Sequence, residues 1–338
     1  IRSCLVGSEM CIRDRMGSVA GSAMASASAM GSILGPEMEK EGYSKGFGVA
    51  INITSATTGL VIPPSNILIV YSLASGGASI AALFLAGYIP GILTGLFLMA
   101  VAIIWAKKKN FKTGKRAPLK TVFGSFVRAF PSLMLLFVVI GGIVSGVFTA
   151  TEASAIAVIY TLVLGFVYKE ITFKKLPSIL LKSSTTTAIV MFLIGASMSM
   201  SWVLSYENIP EMISSGILSL SDNKIVILLL INFTLLFVGI FMDMTPAVLI
   251  FTPIFLPIVT KLGIDPVHFG IIMILNLCIG LCTPPVGSVL FVGVGVANTS
   301  IQKVIKPLIP LFLAMIVALL LVTYIPALSL WLPSIFDL

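Results

Sequence analysis

Long apolar runs separated by short polar stretches dominate this chain of 338 residues. Several approach the ~20 residues that a helix needs to cross a ~30 Å hydrocarbon core. The runs are 80–105, 132–148, 153–168, 187–204, 225–242 and 308–331. This pattern predicts an all-α polytopic membrane protein, with the last run as a single C-terminal transmembrane helix.

Two further apolar runs are interrupted by proline pairs, Pro63-Pro64 and Pro284-Pro285. Proline lacks a backbone donor and clashes with the preceding helical turn. In lipid, the freed backbone groups are costly unless protein, water or an ion satisfies them. A simple kink would explain either pair alone. Two pairs at equivalent places predict two discontinuous helices around a binding site near the membrane midplane.

An internal repeat relates the two proline pairs. When the chain is aligned with itself so that Pro63 meets Pro284, several prolines and glycines coincide, more than chance would give. The matches are Pro36 with Pro257, Gly42 with Gly263, Gly59-Leu60 with Gly280-Leu281, and Pro63-Pro64 with Pro284-Pro285. The chain is therefore predicted to contain two copies of one structural unit.

A helical hairpin is predicted before the second broken helix. Runs 225–242 and 246–259 are joined by Met242-Asp243-Met244-Thr245-Pro246, whose polar residues are Asp243 and Thr245, so we expect a re-entrant hairpin whose tip dips into the membrane. Ser22 matches Asp243 in the same alignment and lies in a stretch of small residues, which allow close backbone approach. We interpret that stretch as the tip and returning arm of a first hairpin, with its first arm before Met16.

Residues 1–15 do not match the rest of the chain. They resemble a translated sequencing adapter; an atypical leader is the alternative, although the stretch lacks the features of a signal peptide. We therefore expect the native N-terminal region to be missing. The predicted organisation is 1–15 foreign, 16–78 first hairpin remnant and broken helix, 79–222 scaffold and connecting helices, 223–300 second hairpin and broken helix, and 301–338 C-terminal helix.

Composition supports a membrane location, because 58% of residues are hydrophobic, only 10% are charged and the mean hydropathy is +1.11. A soluble domain carries about 25% charged residues. The net charge of +8 does not indicate nucleic-acid binding, because the basic residues lie between apolar runs, as in positive-inside loops. The clusters placed in the cytoplasm are Lys107–Arg128, Lys169–Lys182 and Lys303 with Lys306. This topology gives the two hairpin-plus-broken-helix units opposite orientations, an inverted repeat.

Asp243 is the sharpest functional candidate, since a carboxylate at membrane depth is costly and usually functional. Its alternative role is a helix cap. Polar residues gather at the tips and breaks, and their hard oxygens suit Na⁺. Taken alone, each is better explained as a helix-capping hydroxyl. They are Ser22, Thr57, Thr58, Ser65, Asn66, Thr245, Thr283 and Ser288. The candidate Na⁺ ligands are Ser22, Asp243, Thr245 and Thr283.

Other polar residues favour structural roles. Thr149 and Glu152 have the spacing of a capping box. Asn232 and Asn276 lie within spans, where interhelical hydrogen bonding is the simpler interpretation. Cys278 and Cys282 share a helix face and are interpreted as small apolar fillers, and the single histidine, His268, cannot form a metal site unaided. No hydrolase, nucleotide-binding or CxxC motif occurs, so neither an enzyme nor a cofactor other than a coupling ion is predicted.

Six motifs together resemble the large membrane subunit of tripartite ATP-independent periplasmic (TRAP) transporters. They are GSVAGSA (17–23), PEMEKEGY (36–43), IPPS (62–65), GVFTATEAS (146–154), FMDMTPAVLIFTPIFLPI (241–258) and NLCIGLCTPPVGSVLF (276–291). The resemblance implies an elevator-type, Na⁺-coupled importer of organic acids such as C4-dicarboxylates, sialic acid or sugar acids, in the bacterial inner membrane. It implies a small four-helix membrane subunit and a periplasmic substrate-binding protein as partners.

The resemblance also places the Na⁺ and substrate sites at the hairpin tips and helix breaks. Here these are Gly21-Ser22, Pro63–Asn66, Asp243–Pro246 and Thr283–Ser288, including Gly287. Two positions depart from the family pattern: Ala25-Ser26 stands where many relatives carry an acidic residue, and Ala150 replaces a usual proline. A stand-alone carboxylate–sodium symporter and a channel are the alternative functions.

Overall fold

The computed structural model describes residues 22–108, 130–131, 134–135, 137–169, 171–220 and 223–336. Within these ranges six helices are long and apolar enough to cross a membrane. They are Ile80–Lys108, Ala150–Val167, Leu176–Tyr206, Lys224–Phe241, Met244–Lys261 and Ile301–Tyr324. The predicted all-α polytopic membrane protein is confirmed. The predicted foreign segment, Gly21 and most of the first basic cluster lie outside the described residues.

Residue contacts divide the chain into two compact units. Unit 1 comprises residues 1–114 and 201–338, and unit 2 comprises residues 115–200. The division does not follow the predicted 79–222 boundary, because the helix Ile80–Lys108 packs against helices of unit 1. Its assignment to a separate scaffold stays a prediction.

The first repeat begins with α1 (Ala23–Lys40) and continues through a broken helix formed by α2 (Lys45–Thr58) and α3 (Asn66–Ala74). The long α4 (Ile80–Lys108) follows. The helix stops at Thr58, shortly before Pro63, and restarts after Pro64, as the loss of a backbone donor predicts. The first discontinuous helix is confirmed.

Unit 2 contains helical residues 137–144, α5 (Ala150–Val167) and most of α6 (Leu176–Tyr206). The predicted capping box is confirmed: the Thr149 amide donates to Glu152 Oε2 at 2.8 Å, and the Glu152 amide donates to Thr149 Oγ1 at 3.3 Å. Among described residues α6 buries none and α5 buries only Ala153, so their apolar side chains are not covered by the described part of this chain. A short helix, α7 (Ile209–Leu220), precedes the second repeat.

The second repeat is preceded by α8 (Lys224–Phe241), the first arm of the predicted hairpin. It consists of α9 (Met244–Lys261), the broken helix α10 (Pro266–Gly280) and α11 (Ser288–Val296), and α12 (Ile301–Tyr324). The prediction of a single C-terminal helix was wrong: α12 ends at Tyr324 and a separate α13 spans Ala327–Ile335. Pro326 explains the interruption, because it has no amide to continue the helical hydrogen-bond ladder.

Helix bounds confirm the repeat. Aligning Pro63 with Pro284 places both ends of α1 on the ends of α9, and it places the first residue of α2 on the first residue of α10. Gly42 and Gly263, which follow α1 and α9, both have positive φ, the backbone conformation that glycine adopts without strain. Both Pro-Pro bonds are cis. The packing is reciprocal as well, since α3 packs on α9 and α11 packs on α1.

The two broken helices start at opposite ends of α12. Near the start of α12, a Cβ on Gly46 of α2 would collide with the Lys303 carbonyl oxygen. Near its end, Tyr324 donates to the Ile225 carbonyl of α8 at 3.1 Å, and His268 of α10 lies 2.6 Å (Nδ1 to Oγ) from Ser329 of α13. With 24 residues at 1.5 Å each, α12 separates these ends by about 36 Å.

Candidate functional site

The ends of α2 and α10, which precede the two helix breaks, contact each other. The Cys278 thiol donates to the Thr57 carbonyl at 3.0 Å, and Thr57 Oγ1 lies 3.3 Å from Cys282 Sγ. Thr57 and Cys278 are equivalent positions of the two repeats, so this contact lies on the axis relating them. Both thiols are buried, as expected of small fillers, but they also join the two halves of the candidate site.

The second break is tied to the end of α8. The Gly287 amide donates to the Ile240 carbonyl at 3.1 Å, close to Asp243, and Gly287 has a φ of 42°. Next to Ile240, a Cβ on Gly239 would lie 3.1 Å from the Gly280 Cα. Backbone therefore approaches backbone at this break, which brings the hairpin turn and the Pro284-Pro285 segment together.

The first break is covered by α4 instead. A Cβ on Gly87 would collide with the Val61 carbonyl oxygen, and one on Gly91 would collide with the Ile62 side chain. Pro63 and Ser65 are buried, whereas Asn66 is exposed. The glycines of α4 thus let a long apolar helix lie directly against the broken backbone.

The hairpin turn is shorter than predicted. Helix α8 ends at Phe241 and α9 begins at Met244, so Met242 and Asp243 form the connection. Thr245 and Pro246 belong to the first turn of α9, not to the turn between helices. Both arms have 18 residues, about 27 Å of helix, and the re-entrant depth of the turn stays a prediction.

Asp243 occupies the N-cap position of α9, but its side chain makes no capping hydrogen bond and is exposed. The alternative role of its carboxylate as a helix cap is therefore not realised, and its oxygens are available to a ligand. Its counterpart Ser22 does cap α1, accepting from the Ala25 amide at 3.4 Å.

Three predicted hydroxyl ligands bond to their own helices. Thr58 Oγ1 donates to the Thr54 carbonyl at 2.8 Å, Thr57 Oγ1 donates to the same oxygen at 3.0 Å, and Thr283 Oγ1 donates to the Ile279 carbonyl at 2.8 Å. The hydroxyl protons of these three threonines are therefore used within their own helices, as the simpler structural interpretation expects. Their oxygen lone pairs can still bind a cation. Of the second proline pair, Pro284 is half-buried and Pro285 is exposed.

Five buried side-chain oxygens lack a hydrogen-bond partner in the described part of the chain, and all five lie in the two repeats. They are Ser26 Oγ, Asn52 Oδ1, Ser65 Oγ, Asn276 Oδ1 and Ser288 Oγ. Ser65 and Ser288 lie at the starts of the helices after the two breaks and were predicted as site residues. An unpaired buried oxygen costs about 1–3 kcal/mol, and all five are hard donors of the kind that fits Na⁺.

Sequence reasoning missed Ser26 and Asn52 as unpartnered oxygens. Asn52 is a polar residue between two apolar residues near the middle of α2. That position is the sequence feature that could have identified it. Its Nδ2 donates to the Ala27 carbonyl of α1 at 2.6 Å, an arrangement that leaves Oδ1 without a donor. Ser26, which precedes Ala27 on α1, is 2% exposed.

Asn232 and Asn276 form the predicted interhelical hydrogen bonds. Asn276 Nδ2 donates to Asn232 Oδ1 at 2.7 Å and to the Ile272 carbonyl at 2.8 Å, and Asn232 Nδ2 donates to Thr323 Oγ1 at 3.1 Å. These bonds fix the orientation of the Asn276 amide. Among described residues, no cluster of three or more His, Cys, Asp or Glu side chains could hold a metal ion.

Comparison with known proteins identifies the family. The protein-family model described as "Tripartite ATP-independent periplasmic transporter, DctM component" matches residues 10–328. YgiK of Salmonella typhimurium is 59% identical, covering 95% of this chain and 74% of that protein. The isethionate TRAP transporter permease protein DctMQ of Oleidesulfovibrio alaskensis is 42% identical, covering 93% of this chain and half (50%) of its own length.

The C4-dicarboxylate TRAP transporter large permease protein DctM of Pseudomonas aeruginosa is 41% identical, covering 88% of this chain and 70% of that protein. The family match extends over both repeats, both proline breaks and the hairpin turn at Asp243. The chain belongs to the DctM family, the large permease component of tripartite ATP-independent periplasmic transporters.

Proposed function

We propose that this chain is the permease subunit of a Na⁺-coupled secondary transporter that imports organic acids delivered by a periplasmic binding protein. The observation that carries the proposal is the contact between Thr57 and Cys278 at the ends of α2 and α10, next to the two helix breaks, with every unpartnered buried side-chain oxygen of the described residues in the same two repeats. The opposite starts of α2 and α10 along α12 support an inverted-repeat topology.

The chemistry of the breaks suits an organic anion and a cation together. Helices α3 and α11 begin directly after the breaks, and the first amides of a helix have no partner within it. Such N-termini favour negative charge, so they are the proposed carboxylate contacts. When bound, Na⁺ supplies the compensating charge, and the hydroxyl oxygens of Ser65 and Ser288 with the carboxylate of Asp243 are the proposed ligands.

The relatives support the substrate class and the partners. Two are named for anionic substrates, a C4-dicarboxylate and isethionate. This chain spans half of the relative named DctMQ, which leaves length there for a further membrane component. We therefore propose a small membrane subunit as partner, a location in the bacterial inner membrane, re-entrant hairpins, and an elevator movement of the broken-helix repeats.

Uptake into proteoliposomes tests the proposal. The full-length permease, the small membrane subunit and the periplasmic binding protein encoded beside it are reconstituted, and radiolabelled succinate and sialic acid are offered separately. We expect accumulation above the external concentration for one of them, only with an inward Na⁺ gradient and with the binding protein present. A gradient of choline chloride of equal ionic strength is the control.

Two outcomes would replace the proposal. Uptake that only reaches equilibrium and ignores the Na⁺ gradient indicates a channel. Na⁺-driven accumulation that does not need the binding protein indicates a stand-alone carboxylate–sodium symporter.

A further inference from the structure

One end of unit 1 is rich in lysine. Lys107 and Lys108 end α4, while Lys303 and Lys306 lie in the first two turns of α12, and all four are exposed. None of the four forms an ion pair with a described residue. Lys40 and Lys45, at the same end, are instead paired with Glu37 and Glu39 at 2.7 and 3.5 Å. With Glu41, this end carries six lysines and three glutamates among described residues.

Stacked aromatic rings hold this end together. The Phe47 ring stacks on Tyr43 with centroids 6.0 Å apart and on Trp105 with centroids 6.1 Å apart. Trp105 lies on the last turn of α4, close to Lys107, and the neighbour of Phe47, Gly46, touches the Lys303 backbone. The rings therefore join α2 to α4, and Gly46 brings α2 against α12, so that the four lysines lie at one end of these helices. Tryptophan and tyrosine rings are enriched at the headgroup level of membranes.

The opposite end of α12, about 36 Å away, differs in its charged residues. Its described charges near the starts of α8 and α10 are Lys224, Lys261 and Asp265. The separation of the two ends matches the thickness of a hydrocarbon core with its inner headgroup boundaries. The balance of charge therefore distinguishes the two ends of unit 1. Aromatic rings do not, because Tyr324 and the exposed Trp331 lie at the opposite end.

We propose that Lys107, Lys108, Lys303 and Lys306 form a binding site for the phosphodiester headgroup of an anionic phospholipid. The four ammonium groups are exposed and have no carboxylate partner among the described residues, and they lie at the same end of unit 1 as Trp105. Basic residues next to a membrane surface attract anionic lipids, and the attraction falls off within a Debye length. A lipid is the proposed occupant because α4 also exposes apolar surface there: Ile104, one turn before Lys108, is 66% exposed.

Native mass spectrometry of the detergent-purified full-length protein tests the site, with dioleoyl-phosphatidylglycerol and dioleoyl-phosphatidylcholine as probes. We expect the wild type to retain phosphatidylglycerol preferentially. Lys107→Gln with Lys303→Gln should weaken that binding about tenfold, and Lys→Arg at both positions should preserve it. The matched control, Lys224→Gln with Lys261→Gln at the opposite end, should bind phosphatidylglycerol as the wild type does.

Four results would overturn the proposal. They are equal retention of both lipids by the wild type, unchanged phosphatidylglycerol binding in the Lys107/Lys303 variant, an equal loss in the control variant, and competition by soluble glycerol 3-phosphate at the concentration of the lipid. The last would indicate a site for free phosphate esters.

Discussion

In the first repeat a long helix, α4, lies against the break through Gly87 and Gly91. In the second repeat the break lies against α8, through Gly239 and Gly280 and a hydrogen bond from Gly287 to Ile240. When Pro63 is aligned with Pro284, the helices on either side of the two breaks begin and end within one residue of each other. Among the described residues, the two equivalent breaks therefore have different neighbours. The residues of the first repeat that correspond to α8, 3–20, lie outside the described part of the chain.

The polar residues at the two breaks also differ. Asp243 stands where the first repeat has Ser22, and Asn276, bonded to a side chain of α8, stands where the first repeat has Ser55, bonded to the Ile51 carbonyl of its own helix at 2.7 Å. The repeat therefore builds two similar arrangements of backbone groups, while a carboxylate is present at only one of them. In the proposed ion site, the second repeat would therefore contribute the negative charge and the first would contribute neutral oxygens.

The largest expected losses of stability come from adding a methyl group where two backbone segments pack closely. Gly87→Ala and Gly280→Ala should each destabilise the protein by about 1–3 kcal/mol, because the added methyl group meets backbone atoms that cannot move away. Thermal unfolding in detergent measures both. Gly295→Ala is the control, since a Cβ there meets nothing within 4 Å, and it should stabilise by about 0.5 kcal/mol. Equal melting temperatures for all three would refute the close packing at both breaks.

The two broken-helix asparagines should differ in the same assay. Asn276→Ala leaves Asn232 Oδ1 without its donor and should cost about 1–3 kcal/mol, whereas Asn52→Ala removes one bond to a backbone carbonyl and should cost about 1 kcal/mol. A double-mutant cycle of Asn232→Ala with Asn276→Ala should be non-additive. Additive losses of stability would show that the Asn232–Asn276 hydrogen bond does not stabilise the folded protein.

The caps of α2 and α10 give a smaller difference. Asp265 Oδ1 accepts from the Val267 amide at 2.7 Å and the His268 amide at 3.4 Å, whereas the one described capping bond of Ser44 Oγ is from the Phe47 amide, at 3.4 Å. Asp265→Ala should therefore cost about 1–2 kcal/mol and Ser44→Ala about 0.5 kcal/mol. Asp265→Ser should restore part of the loss. A larger loss at Ser44 than at Asp265 would contradict the assignment.

Much of the fold could be predicted because proline, glycine and apolar length act locally. The proline pairs ended α2 and α10 within a few residues of where backbone chemistry requires, and Gly42 and Gly263 marked the ends of α1 and α9. The C-terminal error had a local cause too: apolarity continues through Pro326, so hydropathy alone could not show that the helix stops there.

The site was harder to predict, because a hydroxyl or amide has the same sequence signal whether its partner is its own helix or nothing. Thr57, Thr58 and Thr283 turned out to bond within their helices, whereas Ser65 and Ser288 did not. The unpartnered oxygen of Asn52 depends on a contact with Ala27 on another helix, which only tertiary packing decides.

The dependence of uptake on Na⁺ concentration in Asp243→Ala, compared with Asp265→Ala, tests the central claim most directly. Both variants remove a carboxylate, but only Asp243 lies by a helix break. We expect Asp243→Ala to raise the Na⁺ concentration for half-maximal uptake about tenfold, equivalent to about 1.4 kcal/mol, and Asp265→Ala to leave it unchanged. An unaltered Na⁺ dependence in Asp243→Ala, with uptake still coupled to the Na⁺ gradient, would exclude Asp243 from the ion site.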